Sequence, residues 1–267
     1  MTTELDGFRL QRNAAERIQA YLRETARRAY DAVPVPPFTA FFHPGDGLVY
    51  FNYAIPDTPA GGDLAGPLAR LRAEFAARAR TPRFEFVEGV APELSASLRA
   101  AGFLEELRTP LMTCAPRELL AARGVTGLRI EVITEAAPIE LVQNSMTIAR
   151  RAFGSGSEEP ASREEAEDTR RRFAESRTLV GRLDGEPIAV ATAVATHDGL
   201  SEVAGVAVLA EFRRRGIGSA MTAAAAGAAF AAGAELAFLT PGDEGAERIY
   251  ERAGFRRRET MLVYTEA

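Results

Sequence analysis

Lysine is absent from this sequence: all 32 basic side chains are arginine. That excludes Schiff-base chemistry on a lysine. It also excludes a nucleotide-triphosphate loop, which needs Gly-x-x-x-x-Gly-Lys-Ser/Thr. The single cysteine, Cys114, rules out an internal disulfide and any cysteine-rich metal site. Two histidines, His43 and His197, are too few for a multi-histidine metal site. The opening "MTTELDGFRLQRN" lacks the apolar stretch of a secretory signal. Met221 to Leu239 is long and almost uncharged, but it is mostly Ala and Gly, Glu235 interrupts it, and Gly233 reads as a helix stop. It is expected to be a buried helix followed by a strand rather than a membrane span. Net charge is -5, with arginines dispersed among acids, which argues against a nucleic-acid partner. The expectations are a cytoplasmic protein with no metal, no nucleic acid and no membrane.

What is present is ordinary for a soluble globular chain: 46% hydrophobic and 26% charged residues over 267 positions, enough for one large or two small domains. Gln11 to Tyr30 reads as an amphipathic helix. "FTAFFH" and "GLVYFNYAI" read as strands around the turn "PGDG". The Pro- and Gly-rich "PDTPAGGDLAGP" leads into a helix from about Leu68 to Arg80, then the strand "RFEFV", then a helix closing on Gly102, then a strand to Cys114. "APRELLAARGVTG" reads as a linker. Beyond it come the strand "LRIEVI", a helix over Pro138 to Phe153, the loop "GSGSEEPAS" and a charged helix from about Arg163 to Glu175. That loop carries the acids Glu158 and Glu159 and reads as a surface loop. Three strands follow, with turns at Asp184-Gly185 and Asp198-Gly199. Last come an Ala-rich helix, the strand "ELAFLT", a helix from about Glu244 to Arg252 and a final pair of strands.

The two halves echo each other. "SLRAAGFLEELRTPLMTC" in the middle and "IYERAGFRRRETMLVYTE" at the end are both helix, Ala-Gly-Phe, strand. The point of greatest chemical interest is "EFRRRGIGSAMTAAAAGAAF", where three arginines enter a Gly-Ile-Gly turn at the start of a helix. The first turn of a helix leaves backbone N–H groups unpaired and carries about half a positive charge. Phosphates bind there for both reasons. Gly216 and Gly218 let a ligand approach the backbone, and Arg213, Arg214 and Arg215 add formal charge, so a di- or polyphosphate is the expected ligand. A dinucleotide fingerprint fits poorly. Its third small residue is missing after Gly216-Ile217-Gly218, although Asp243 lies where a ribose-binding acid could follow. A solvated arginine turn is the plain alternative.

"VAVLAEFRRRGIGSAM" resembles the acyl-CoA-binding segment of the GNAT superfamily of N-acetyltransferases, whose signature Arg/Gln-x-x-Gly-x-Gly/Ala falls on Arg213 to Gly218. "DEGAERIYERAGF" resembles the family's Asn-x-x-Ala-x-x-Leu-Tyr-x-x-x-Gly-Phe, with Asp243 for Asn, Ala246 matching, and Ile249 for Leu. The resemblance implies an α/β (α+β) fold of two GNAT-like halves, each a mixed, mostly antiparallel sheet flanked by helices, the first half truncated. The implied division is 1–118 for a degenerate half, 119–127 for a linker and 128–267 for the catalytic domain. It implies acetyl-CoA as acyl donor. Pantetheine would pair with the strand at Val206, Ala207 and Val208, and pyrophosphate would sit on Arg213, Arg214, Arg215, Gly216, Ile217, Gly218 and Ser219, with Asp243 and Ala246 nearby. An amide near Val206 would polarise the thioester carbonyl. Glu202, eleven positions before Arg213, is the implied general base, and Tyr250 the implied general acid. Each has a plain alternative: Glu202 facing solvent and Tyr250 packing in the core.

His197 in "THDG" is a rival base or a solvated turn residue, and Cys114 is expected to be a buried thiol. Leu98 replaces the tyrosine at the matching place in the first half, and "PDTPAGGDLAGP" carries no cation, so the first half is not expected to catalyse. The implied function is acetyl transfer from acetyl-CoA to a primary amine by direct attack in a ternary complex, the acceptor being a small-molecule or peptide amine and the enzyme a monomer or homodimer. The alternative is a non-catalytic acyl-CoA-binding sensor or assembly module.

Overall fold

The computed structural model describes residues 2–44, 49–134, 136–153, 160–171 and 176–266. Glu158 and Glu159 lie outside them. The chain divides into two compact units, Met1–Leu111 with Arg258–Ala267, and Met112–Arg257. Residues 119–127 therefore run inside the second unit, where Leu119 and Val125 pack on its core.

The first unit begins with α1 (Thr2–Ala29), longer than the helix expected from Gln11. Then come β1 (Asp31–Val35), β2 (Phe38–Phe42), β3 (Asn52–Pro56), α2 (Ala65–Ala76), β4 (Arg83–Val87), α3 (Leu94–Ala100) and the start of β5 (Phe103–Cys114). β1 was not legible in the sequence, because Pro34 interrupts its pattern. It is an edge strand, where a missing N–H is tolerated. The β1–β2–β3 run is antiparallel, and β3 pairs with β4 in parallel. The neighbour of β4 on its other side is the last strand of the chain, β11 (Arg256–Glu266), antiparallel through Met261↔Val87 to Thr265↔Arg83. A final pair of strands was expected; a single long strand is found. The core of this unit is aromatic. Phe38 meets Phe84 edge-on with centroids 5.0 Å apart, Phe84 meets Phe103 at 5.4 Å, and Phe42 meets Phe75 at 4.8 Å.

The second unit contains β6 (Leu128–Val132), α4 (Ile139–Phe153), α5 (Arg163–Arg171), β7 (Arg177–Leu183), β8 (Glu186–Ala193), β9 (Leu200–Val208), α6 (Ile217–Ala231), β10 (Leu236–Leu239) and α7 (Glu244–Ala253). Its sheet runs β6-β7-β8-β9-β10, closed by Met112–Cys114 at the end of β5 against β10. Among the described residues only β9–β10 is parallel in this sheet. The expected Asp-Gly turns are present: Asp184, Gly185, Asp198 and Gly199 all take positive φ. That is the backbone a tight hairpin needs to match strand twist. The alanines of α6 let it lie close to the sheet, with Ala220, Ala225, Ala226 and Ala229 buried. Gly181 on β7 leaves room for Met221: a Cβ there would come within 2.8 Å of the sulfur. Among the described residues no helix is long and apolar enough to cross a membrane.

Candidate active site

The site is built where β9 runs into α6. From Leu200 to Glu202 the strand pairs on one side with Leu236–Phe238 of β10. Beyond Glu202 it continues to Val208 with no β10 partner among the described residues, so the two parallel strands fork. On the other side, β9 bulges against β8, with Gly205 and Val206 opposing the single residue Ala191. Gly205 takes φ +60 and is exposed. A bulge leaves an extra residue outside the ladder and re-aims the strand. The backbone around Val206 is thus freed by two departures from regular pairing, one on each edge. The bulge escaped the sequence reading, although a glycine inside the apolar run "VAGVAV" is the signal for one.

The turn that follows is held open. Arg214 takes φ +63, unusual for a residue with a Cβ, and Gly216 takes φ +84 as N-cap of α6. Left-handed residues alternating with right-handed ones turn successive N–H groups toward one side, a backbone form suited to an anion. Gly216 is exposed, and Gly218 and Ser219 are half-buried, so the helix start is open to a ligand. Ile217 is buried and anchors it. The three guanidinium groups are not equivalent. Arg213 donates to the Val208 carbonyl at 3.0 Å and ties the turn to the end of β9. Arg215 stacks over Phe212 at 5.4 Å. Arg214 has no hydrogen-bond or ion-pair partner among the described residues. Gly218 has a second reason for lacking a side chain: a Cβ would stand 3.4 Å from both Ile249 Cδ1 and Cγ2, so it also sets the approach of α6 to α7.

α7 carries the other predicted residues. Asp243 is its N-cap, and the carboxylate accepts from Ala246 N at 2.7 Å, the bond an asparagine would make in its place. Tyr250 is buried on the inner face. Burial, then the Asp243 charge, pushes its hydroxyl above the usual phenol value, so it stays protonated at neutral pH. Sequence reasoning missed Glu247, one turn before Tyr250, which is buried and ion-paired with Arg257. The two rivals stand apart from this arrangement. His197 forms a lone bridge with Leu200 at the far end of β9. Cys114 is buried, and desolvation, then Glu118, pushes its thiol up to about 11, well away from a reactive thiolate.

A model of the Acetyltransferase (GNAT) family matches residues 143–255. The chain is 30% identical to a GCN5-related N-acetyltransferase from Kribbella flavida, over 94% of this chain and 95% of that one, with a TM-score of 0.79. Two further structures share the fold. One is a GCN5-related N-acetyltransferase from Sphaerobacter thermophilus, with 15% identity, 86% and 76% coverage and a TM-score of 0.64. The other is a tandem GNAT protein from the clavulanic acid biosynthesis pathway, with 14% identity, 85% and 77% coverage and a TM-score of 0.59. No curated protein matches. The chain belongs to the GNAT acetyltransferase family, and acyl transfer is the class of reaction its fold serves.

Proposed function

We propose that the second unit transfers an acetyl group from acetyl-CoA to a primary amine within a ternary complex. The observation that carries this reading is the fork beyond Glu202, leading directly into the open, arginine-flanked helix start. Pyrophosphate would lie on the amides of Arg214 to Ser219, with the Arg214 guanidinium available to it. Pantetheine would pair with the edge of β9 at Val206 to Val208 that β10 leaves uncovered. The thioester carbonyl would then meet the freed backbone at the bulge, where an N–H can stabilise the oxyanion.

Glu202 sits at the last paired position of β9 with β10, at the mouth of the fork, and is half-buried. In this reading it removes the proton from the ammonium group of the acceptor, directly or through water. The amine nitrogen attacks the carbonyl carbon, the carbon–sulfur bond breaks, the departing thiolate takes the Tyr250 proton, and the second proton that the nitrogen loses as the amide forms returns through solvent to the phenolate. A phenol held above its usual value is fully protonated at the start of each turnover, and so carries the proton this step needs. Asp243 and Ala246 support the same wall by setting the start of α7.

Release of free thiol from acetyl-CoA in the presence of mixed primary amines tests the reading. Steady release that needs an amine supports transfer. Binding of coenzyme A without any release would support a sensor or assembly module instead.

A further inference from the structure

The first unit repeats the order of the second: three antiparallel strands β1–β2–β3, helix α2, parallel strand β4, helix α3. Its parallel pair also forks. Among the described residues β3 and β4 share the single pairing Ala54↔Phe84, and Pro56 and Val87 beyond it are not paired with each other. That fork is filled. Gln19 of α1 is buried and lies across it, its Oε1 accepting from Val87 N at 2.8 Å and its Nε2 reaching the Pro56 carbonyl at 3.5 Å. One turn on, Arg23 donates to the carbonyls of Pro56 at 2.9 Å and Asp57 at 3.2 Å. A primary carboxamide offers the same donor and acceptor as the secondary amides of pantetheine, so α1 satisfies the backbone groups that a cofactor would have to pair.

The phosphate end is filled too. At the start of α2, where the second unit presents arginines and a bare helix turn, Asp63 Oδ1 accepts from Ala65 N at 2.9 Å. A Cβ on Gly61 would collide with the carboxylate of Glu93. Asp57 opens this loop, held by the Thr39 hydroxyl at 2.8 Å with Arg23 and Arg27 about 4 Å away. The carboxylates of Asp63 and Glu93 therefore stand at the loop and helix start where an incoming pyrophosphate would need cations.

We infer that the first unit is an acyl-CoA fork occupied by its own chain: the Gln19 carboxamide stands in for pantetheine, and the Asp63 carboxylate for a phosphate. The protein then has one coenzyme A site per chain, in the second unit. The inference of one site rests on the transferase reading above; the occupancy of the first fork does not. The role left to the first unit is structural, with α1 as a built-in ligand that locks β3 and β4 together.

Two measurements test this on the full chain. Native mass spectrometry with coenzyme A is expected to give one molecule per chain. Two per chain would overturn the inference, whereas none would overturn the transferase reading and leave the second measurement to decide the fork. In hydrogen exchange, the Val87 amide is expected to be protected, and Gln19→Met, which keeps the packing volume but neither hydrogen bond, is expected to speed its exchange at least tenfold. Unchanged protection at Val87 in that variant would show that Gln19 does not hold the fork. Should Gln19→Met fail to fold, the wild-type stoichiometry and the wild-type protection of Val87 still decide.

Discussion

Tyr250 is a buried ring whose hydroxyl makes no hydrogen bond among the described residues. Among the described residues the buried side-chain atoms left without a partner are Arg80 Nε and Ser95 Oγ, so the Tyr250 hydroxyl is not sealed in the core but reaches solvent. The open hydroxyl therefore fits a proton donor to the ligand. Tyr250→Phe is expected to lower kcat by about 10²-fold while shifting Tm by no more than about 2 °C, since no bond is lost. A fall in Tm with unchanged kcat would return Tyr250 to the core. For Glu202→Gln, the loss in kcat/KM is expected to be largest below the acceptor amine's pKa and to shrink above it, where the amine is already free of its proton. A loss of equal size across the whole pH range would remove Glu202 as the base. Cys114 gives a control at the same scale. With its thiol raised to about 11, the stability it contributes is complete below the ordinary thiol value and is lost as pH rises toward 11. Native protein at pH 8 is accordingly expected to resist iodoacetamide, and urea-unfolded protein to react.

At the scale of elements, the starts and ends of α6 and α7 decide the geometry. Gly216 must adopt φ +84, so Gly216→Ala is expected to cost about 1–2 kcal/mol in chemical denaturation and to weaken acetyl-CoA binding as the turn shifts. Gly254, which ends α7 at φ +107, is more tightly bound still: a Cβ there would strike the Glu118 carbonyl as well as strain the backbone. Gly254→Ala is expected to be the more damaging change, about 3 kcal/mol or more. Both glycines were legible as punctuation in "RRRGIGSA" and "ERAGF". The reason Gly254 tolerates no substitute was not, because Glu118 is distant in sequence. Gly218 is similar: the motif explains its bareness through the ligand, and the structure adds Ile249.

Across the whole molecule, the connections matter more than the repeat. The echo between the two Ala-Gly-Phe units was readable, but it says nothing about which sheet each following strand joins. β5, following the first echo, ends against β10 in the second unit, and β11, following the second, pairs with β4 in the first. A fragment of residues 128–267 would leave Met261–Thr265 without β4 and Ala237–Leu239 without Met112–Cys114. Unpaired strand edges and exposed core faces make such a piece prone to aggregate. Expressed alone, it is expected to be insoluble or to lack cooperative unfolding by circular dichroism. A well-folded, acetyl-CoA-binding fragment would overturn that expectation.

The sequence alone determined the local parts: the hairpin turns at the two Asp-Gly pairs, the Ala-rich helix, the arginine turn at its start and the tyrosine one helix later. Each depends on backbone preference and side-chain periodicity within a few residues, which a chain carries wherever it lies. Tertiary structure alone decided where β9 leaves β10, which unit receives the last strand, and that Gln19 closes a fork against Val87. Those outcomes are pairings between residues far apart in the chain, chosen by which backbone groups remain unsatisfied once everything else has packed.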